Sequence, residues 1–276
     1  MSLIDAKDFD IVVSKLREFF HSRGFVEVHT QNRLSILAAC EDPKTVATFN
    51  YPCDVRNESL LFPLPQTGQM WLEYELLKNP SLPGVFCVST SYRNEPNPVP
   101  GRHLRIFPMF EFESHGEMED LISLEKDLIK HLGFPSYLEV QYQDVAKEMN
   151  VIELENEHEE KLNTRNRVVF LENFPEYTSP FWNMKRKGDV ARKVDVIIHG
   201  METIGSAERS CDKEEMRRRF NTISDGKYAQ LLYNLFTKER VEKEMNDFLN
   251  LNFIPRYGGG IGITRLIRGM KLSGLI

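Results

Sequence analysis

The sequence contains few cysteines and no long apolar run, and both absences narrow what the protein can be. Its four cysteines are far apart and form no C-x-x-C pair (Cys40, Cys53, Cys87 and Cys211), so neither a disulfide framework nor a zinc site is predicted. Apolar runs are only a few residues long, and the acidic start MSLIDAKDFD lacks the basic and apolar segments of a signal peptide. We therefore expect a cytoplasmic protein that does not enter a membrane.

The sequence also lacks an excess of positive charge. It carries 35 lysines and arginines against 41 aspartates and glutamates, a net charge of −6, and its isoelectric point is near 5.7. Proteins that grip a phosphate backbone usually present a basic face. Here the dense basic stretches are MKRKGDVARK (184–193) and RRR (217–219), and solvated surface is the simpler explanation of both. The charge argues against nucleic acid as the main partner.

Two common nucleotide-binding motifs are missing as well. No G-x-x-x-x-G-K-[ST] segment occurs, and the glycine-rich segment GGGIGITR (258–265) neither matches G-x-G-x-x-G nor precedes a βαβ unit. What remains is a glycine-lined strand that runs into a helix with Arg265 near its start. Glycines let another group approach the backbone, and an arginine fork suits a phosphate. Tight packing of the strand against the helix is the alternative explanation.

The sequence does contain a mixture of helical and strand patterns without regular βαβ alternation, which predicts an α+β fold with an antiparallel sheet. We expect one domain over residues 1–276. Residues 45–65 are predicted to be irregular, and the acidic run 153–160 a solvated helix face. The predicted helices are 8–23, 69–79, 121–132 and a long amphipathic helix at 228–249. The predicted strands are 25–30, 84–93, 106–114, 167–174, 193–200 and 201–208.

One stretch, SYRNEPNPVPGRHLRIFPMFEFE (91–113), places three arginines and three glutamates around a proline-rich loop. The loop lies between two segments that alternate like strands, so a hairpin is predicted. A surface hairpin with solvated ions would explain the pattern. The more specific interpretation is a hairpin whose two arms hold a planar, anionic ligand.

Three separated segments together resemble the motifs of the class II aminoacyl-tRNA synthetases. VSKLREFFHSRGFVEVHT (13–30) is similar to the first motif, the two arms of the hairpin (91–95 and 102–113) to the second, and GGGIGITRL (258–266) to the third. Their order and separations also agree, and the resemblance covers nearly the whole chain. It implies an antiparallel β-sheet flanked by helices, and a homodimer built through the first motif.

Further segments are most similar to the asparaginyl- and aspartyl-tRNA synthetase branch of that family. They are PLPQTGQMWLE (63–73), FPEYTSPFWNMK (174–185) and VDVIIHGMETIGSAERS (194–210). In that branch these regions form the amino-acid pocket. The resemblance implies that Gln69, Glu111, Gly205, Ser206 and Arg209 bind the amino acid, with Arg209 meeting its side-chain oxygen.

The resemblance also implies that the hairpin binds ATP. Arg93 would hold the α-phosphate where charge builds during adenylation, and Glu95 would face the edge of the adenine. Phe107 would lie against one face of the purine, with Arg265 on the other face and near the γ-phosphate. Arg93 and Arg265 are therefore the expected catalytic residues.

The remaining nucleotide contacts involve the outer phosphates and a metal. Arg102 and His103 occupy the positions that contact the outer phosphates in the family. Asp195 and Glu202 match the acidic pair that holds Mg²⁺ on ATP, since a hard cation prefers carboxylate oxygens. An ordinary pair of acids at strand ends is the alternative for these two residues.

Several positions depart from the family pattern. The first motif begins so early that we expect no anticodon-reading barrel, and Gln31 replaces the proline that usually ends this motif. Arg256 replaces a histidine, which would put a permanent charge near the α-phosphate. Ile106 and Thr264 replace acids, and Leu72 replaces the lysine of the aspartyl enzymes. We interpret the pattern as a paralogue with an altered acceptor or substrate.

The leading hypothesis is an AMP-forming ligase that resembles the archaeal-type asparagine synthetases. Aspartate would be activated as an adenylate, and ammonia or another amine would displace AMP to give an amide. The alternatives are transfer of an aminoacyl group to a tRNA or protein acceptor, of which tRNA is disfavoured, and a non-catalytic module that senses ATP or an amino acid.

Overall fold

The structure, a computed structural model, describes residues 4–30, 33–39, 45–53 and 58–276, without the side chains of residues 53, 58 and 59. Gln31 and Cys40 lie outside these ranges, and so does the side chain of Cys53. No helix in the described ranges is long and apolar enough to cross a bilayer.

The helices and strands of the described residues interleave along the chain. The helices are α1 (Ala6–Ser22), α2 (Gln69–Lys78), α3 (Met118–His131), α4 (Tyr142–Glu148), α5 (Asn156–Leu162), α6 (Lys213–Thr222), α7 (Lys227–Phe236), α8 (Lys238–Leu249) and α9 (Ile263–Leu272). The strands are β1 (Val26–Glu27), β2 (Thr48–Cys53), β3 (Glu58–Pro63), β4 (Gly84–Tyr92), β5 (Ile106–His115), β6 (Leu138–Gln141), β7 (Val168–Pro175), β8 (Arg186–Lys187), β9 (Val190–Ile198), β10 (Met201–Glu208) and β11 (Arg256–Gly262).

The main sheet has the strand order β1-β4-β5-β11-β10-β9-β7-β6, with β8 paired to β9. All of these pairs are antiparallel except β1 with β4 and β6 with β7. The prediction of an α+β fold with an antiparallel sheet and flanking helices is thereby confirmed, with parallel pairs at the two edges. The predicted strand 25–30 is reduced to the two residues of β1.

Helix α1 illustrates how local sequence sets an element and its packing. Asp5 caps the helix, and its carboxylate accepts the backbone N–H groups of Lys7 and Asp8, which satisfies two donors that the first turn leaves open. Gly24 follows the helix with a positive φ of 77°, a conformation that favours glycine. Between these ends the apolar stripe, which includes Phe20, is buried against the sheet.

The two faces of the sheet differ in character along β5. Phe110 and Phe112 point to the face covered by α1, α3 and α9, where their ring centroids lie 5.0 and 5.1 Å from that of Phe20. Met109 and Glu111 alternate with them and therefore point to the opposite face. The apolar cluster around Phe20 thus lies on one side of the sheet, and Glu111 of β5 points to the other.

The described parts of segment 45–65, residues 45–53 and 58–65, contradict the prediction of irregular structure. Strands β2 and β3 form a separate antiparallel pair in which Phe49 is opposite Phe62, with ring centroids 6.4 Å apart. The prolines misled the prediction, because both strands of a two-stranded sheet are edges, where a residue without an N–H is tolerated.

The predicted long helix at 228–249 is two helices in the structure. Thr237 has a positive φ of 67° between α7 and α8, which no continuous helix can contain. The change of direction lets Phe236 and Val241 both enter a second apolar cluster around Trp182. Burial of apolar side chains therefore outweighs the continuous amphipathic pattern.

Candidate functional site

A cavity of about 310 Å³ opens on the polar face of the sheet, between the β4–β5 hairpin, α2 and strands β10 and β11. Glycines 260 and 262 of β11 line it, so the backbone forms part of its floor. The structure brings together in its lining every predicted site residue except Asp195, which lies on the neighbouring strand β9 and is paired with Gly205. The predicted residues in the lining are Gln69, Arg93, Glu95, Arg102, His103, Phe107, Glu111, Glu202, Gly205, Ser206, Arg209 and Arg265.

The hairpin forms one wall with a flat apolar surface and a cation beside it. Strands β4 and β5 pair in register up to Tyr92, and the Arg93 backbone N–H then donates to the Arg105 carbonyl at 2.7 Å. This pairing places the Arg93 guanidinium 5.4 Å from the centroid of the Phe107 ring. A ring and a guanidinium at this separation suit a planar ligand that carries negative charge.

Arg102, on the returning arm, is tied to the far wall. Its guanidinium donates to the Gly200 carbonyl at 2.8 Å and to the Glu159 carboxylate, and Glu159 also accepts the backbone N–H of Glu202 at 3.3 Å. The acidic run 153–160 is helical only from Asn156 onward, and Glu159 is not a solvated side chain. The prediction was wrong for Glu159 because its carboxylate forms an ion pair with the buried Arg102.

His103 follows Arg102 in the chain and also lines the cavity. The Val99 backbone N–H donates to its Nδ1 at 3.2 Å. Burial and the nearby positive charge of Arg265 lower the pKa of His103. A neutral imidazole with Nδ1 engaged leaves Nε2 as the donor, which can contact an anionic ligand.

The carboxylates of Asp195 and Glu202 converge beside Gly205 in the cavity wall. A Cβ added at Gly205 would lie 2.8 Å from Glu202 Oε1 and 3.5 Å from Asp195 Oδ1. Asp195 Oδ1 is buried and has no hydrogen-bond partner, while Oδ2 accepts from Lys193 Nζ at 2.6 Å. Burial raises the pKa of Asp195. One unsatisfied oxygen and a converging carboxylate fit Mg²⁺, and these two residues could hold it.

Ser206 lines the cavity with its backbone, since its side chain is on the other face of the sheet. Its hydroxyl donates to Glu125 Oε1 of α3 at 2.6 Å. The Glu125 side chain is buried and its Oε2 has no partner. Burial raises the pKa of Glu125 to about 8.

We expect Glu125→Gln to be more stable relative to the unchanged protein at pH 8 than at pH 5. The folded protein keeps the proton of Glu125 up to a pH near 8, whereas the unfolded chain releases it near its ordinary pKa of about 4.3. The native state therefore loses stability between these pH values, and glutamine removes that loss. Melting temperatures of both proteins at pH 5 and pH 8 test this. An equal difference at the two pH values would contradict it.

The other end of the cavity is built around Glu111 and Arg209. Glu111 is buried and accepts from the hydroxyls of Thr67 and Ser89 and from the Gly68 backbone N–H, whose distances are 2.8 and 3.0 Å to its two oxygens. Burial raises its pKa. Arg209 Nη2 donates to Gln69 Oε1 at 2.5 Å. Gln69, Glu111 and Arg209 thus form one connected polar end, because the Gln69 backbone N–H donates to Thr67 Oγ1 at 3.1 Å and Thr67 donates to Glu111.

Behind Arg209 lies a buried ion-pair network that the sequence did not reveal. Arg256 is fully buried and donates through Nε (2.9 Å) and Nη2 (2.5 Å) to Glu73 Oε2, while Arg209 Nε donates to Glu113 at 3.2 Å. Burial raises the pKa of Glu113 to about 7. Arg256 was expected to put a charge near the α-phosphate, but it is absent from the cavity lining and its guanidinium is paired with Glu73.

Asn183 is a further cavity residue that was missed. Its Nδ2 donates to Glu73 Oε1 at 2.6 Å, and its Oδ1 is buried without a partner. A carboxylate can only accept, so this contact fixes the orientation of the amide. Oδ1 is therefore available as an acceptor beside Arg209. Sequence reasoning included residue 183 in the resemblance of segment 174–185 but gave it no role.

Comparisons with known proteins show the family and the fold of the chain. The family described as tRNA synthetases class II (D, K and N) matches residues 7–274. The chain belongs to this family. A curated relative of this class II chain is the aspartate–tRNA(Asp) ligase of Thermoplasma volcanium, 24% identical over 239 residues, which cover 75% of this chain and 53% of the relative.

Solved structures of class II synthetases share the fold. The asparaginyl-tRNA synthetase of Pyrococcus horikoshii complexed with asparaginyl-adenylate has a TM-score of 0.75 at 19% identity, covering 95% of this chain and 64% of that one. The asparaginyl-tRNA synthetase of Entamoeba histolytica has a TM-score of 0.71 at 20% identity, with coverage of 97% and 64%. The chain thus spans about half of the curated relative and less than two thirds of these solved chains.

Proposed function

We propose that the cavity is the active site of an AMP-forming ligase that activates an amino acid with ATP. The observation that supports this most directly is the combination of two chemically different ends in one cavity of a class II synthetase fold. One end carries Arg93, Phe107 and Arg265, which suit a nucleotide. The other carries Arg209 and Asn183, which suit an amino acid.

At the nucleotide end the adenine would lie against Phe107, with its phosphates directed to Arg93 and Arg265. Arg265 is held by the Glu202 backbone carbonyl, to which its Nη1 donates at 2.6 Å. Donors that are already held in place need little reorganisation energy when charge develops around the phosphorus. Such fixed donors make large contributions to catalysis. Mg²⁺ held by Asp195 and Glu202 would supply additional positive charge for the phosphates.

At the amino-acid end Arg209 would donate to an oxygen of the substrate, and Asn183 Oδ1 would accept one of its N–H groups. A substrate carboxylate oxygen attacks the α-phosphorus, and the bond to the bridging oxygen breaks as pyrophosphate leaves. Glu111, whose oxygens are occupied by Thr67, Gly68 and Ser89, would fix the wall around this group. The chain's role in this step is to orient the two reactants and stabilise charge.

We further propose that aspartate is the activated acid and that ammonia or another amine takes the acyl group. The nitrogen lone pair attacks the acyl carbon, AMP leaves with the electrons of the C–O bond, and the nitrogen releases a proton to water. Transfer of the acyl group to a tRNA is a second candidate, favoured by the names of the relatives above. Both use the same first step.

The first experiment follows pyrophosphate and AMP release by the purified protein with ATP and Mg²⁺ over a panel of amino acids, with and without ammonium. AMP release that requires both aspartate and ammonium, together with asparagine formation, supports the ligase. AMP release that requires aspartate and tRNA supports the second candidate. ATP binding without release of either product under all conditions would contradict the proposal and favour a sensing role. The mass of the same preparation in solution tests the expected homodimer.

A further inference from the structure

Lys193 ends the basic stretch 184–193 that the sequence analysis interpreted as solvated surface, yet it lies beside the acidic pair. It lies two residues before Asp195 on β9, so both side chains point to the cavity face of the sheet. Lys193 Nζ lies 2.6 Å from Asp195 Oδ2 and 3.8 Å from the centroid of the Phe174 ring. A carboxylate and an aromatic face thus hold the ammonium in place.

The neighbouring carboxylates have cations of their own. Arg265 Nη1 lies 3.8 Å from Glu202 Oε2, and Glu159 is paired with Arg102. Three carboxylates and three side-chain cations leave this part of the wall with no net negative charge. Divalent cations bind where carboxylate oxygens are in excess, and here Asp195 has only Oδ1 available.

We propose that Lys193 is a resident cation that prevents Asp195 and Glu202 from holding a divalent metal by themselves, so that the metal binds together with a nucleotide. The phosphates would bring the negative charge that the wall lacks. By thermodynamic linkage, metal and nucleotide then strengthen the binding of each other by the same factor. The role of the nucleotide rests on the proposed function. The effect of Lys193 on metal binding to the nucleotide-free protein does not.

The test is Mn²⁺ binding to the nucleotide-free protein, measured from the electron paramagnetic resonance signal of free Mn²⁺. Lys193→Gln removes the charge but keeps a donor for Asp195 Oδ2. We expect this variant to bind one Mn²⁺ at least about tenfold more tightly than the unchanged protein, equivalent to about 1.4 kcal/mol. Adding Asp195→Asn should abolish the gained site. Lys193→Arg keeps the charge and should bind Mn²⁺ as weakly as the unchanged protein.

Lys185→Met is the matched control, because Lys185 pairs with Glu208 at 2.5 Å and not with Asp195 or Glu202. It removes the same charge from the protein and should leave Mn²⁺ binding unchanged. Equal Mn²⁺ affinity in Lys193→Gln and the unchanged protein would overturn the inference, as would an equal gain in the control. If Lys193→Gln does not fold, Lys193→Met replaces it in the test. A folded Lys193→Met with the same Mn²⁺ affinity as the unchanged protein would then overturn the inference. Failure of an ATP analogue to bind any variant would instead count against the proposed function.

Discussion

Arg93→Gln is expected to lower amino-acid-dependent pyrophosphate release about 10²–10³-fold, the usual loss when one fixed donor to a developing charge is removed. Arg93 follows β4 directly, and its guanidinium is held beside the Phe107 ring. Glutamine keeps a polar side chain in the same place but removes the positive charge and the fork that can grip two phosphate oxygens. We therefore expect the loss mainly in kcat, measured with saturating ATP and amino acid.

Arg105→Gln is the matched control for this prediction. Arg105 belongs to the same hairpin and is exposed, outside the cavity lining, and it contacts Arg93 through its backbone carbonyl. A change within twofold is expected for this variant. Equal losses in the two variants would mean that the hairpin needs positive charge in general, and the assignment of Arg93 to the α-phosphate would be wrong.

The fold was predictable where a short sequence pattern determines the structure. The strands of the hairpin were predicted within one or two residues of Gly84–Tyr92 and Ile106–His115, because alternation and a proline-rich loop specify both arms. The break at Thr237 was not predictable, since apolar residues continue at helical spacing through it. Only the position of the cluster around Trp182 decides where the chain must turn.

The candidate site likewise contains residues that the sequence predicted and residues that it did not. Arg93, Phe107, Glu202 and Arg265 lie in segments with recognisable spacing, and the structure places all four in one cavity. Lys193 could have been found, because a residue two positions before an expected ligand on a strand must share its face. That signal was present and was not used.

The contacts behind the pocket could not have been found in this way. Glu73 and Arg256 are separated by 183 residues and meet only because α2 packs beside the start of β11. Neither residue type is unusual at its position in an isolated helix or strand. Their pairing is a property of the tertiary structure, and its energetic consequence can be measured directly.

Arg256→Met is expected to destabilise the protein by about 3–5 kcal/mol, the cost of leaving one partner of a buried ion pair uncompensated. Both side chains are fully buried, and Glu73 Oε2 accepts two N–H groups from Arg256. Methionine keeps an unbranched side chain at this position without the charge. The measurement is urea unfolding followed by tryptophan fluorescence, with the slope compared between variants to check that the transition stays cooperative.

The double variant Arg256→Met/Glu73→Gln separates the loss of the ion pair from the loss of packing. Glutamine at position 73 still offers an oxygen to Asn183 Nδ2, which donates to Glu73 at 2.6 Å, but leaves no buried charge. We expect the double variant to be more stable than Arg256→Met alone, because an uncharged pair is cheaper to bury than a single charge. Additive losses from the two substitutions would show that the charges do not stabilise each other. The destabilisation would then come from packing around Phe253, which the Arg256 guanidinium covers at 4.7 Å from the ring centroid.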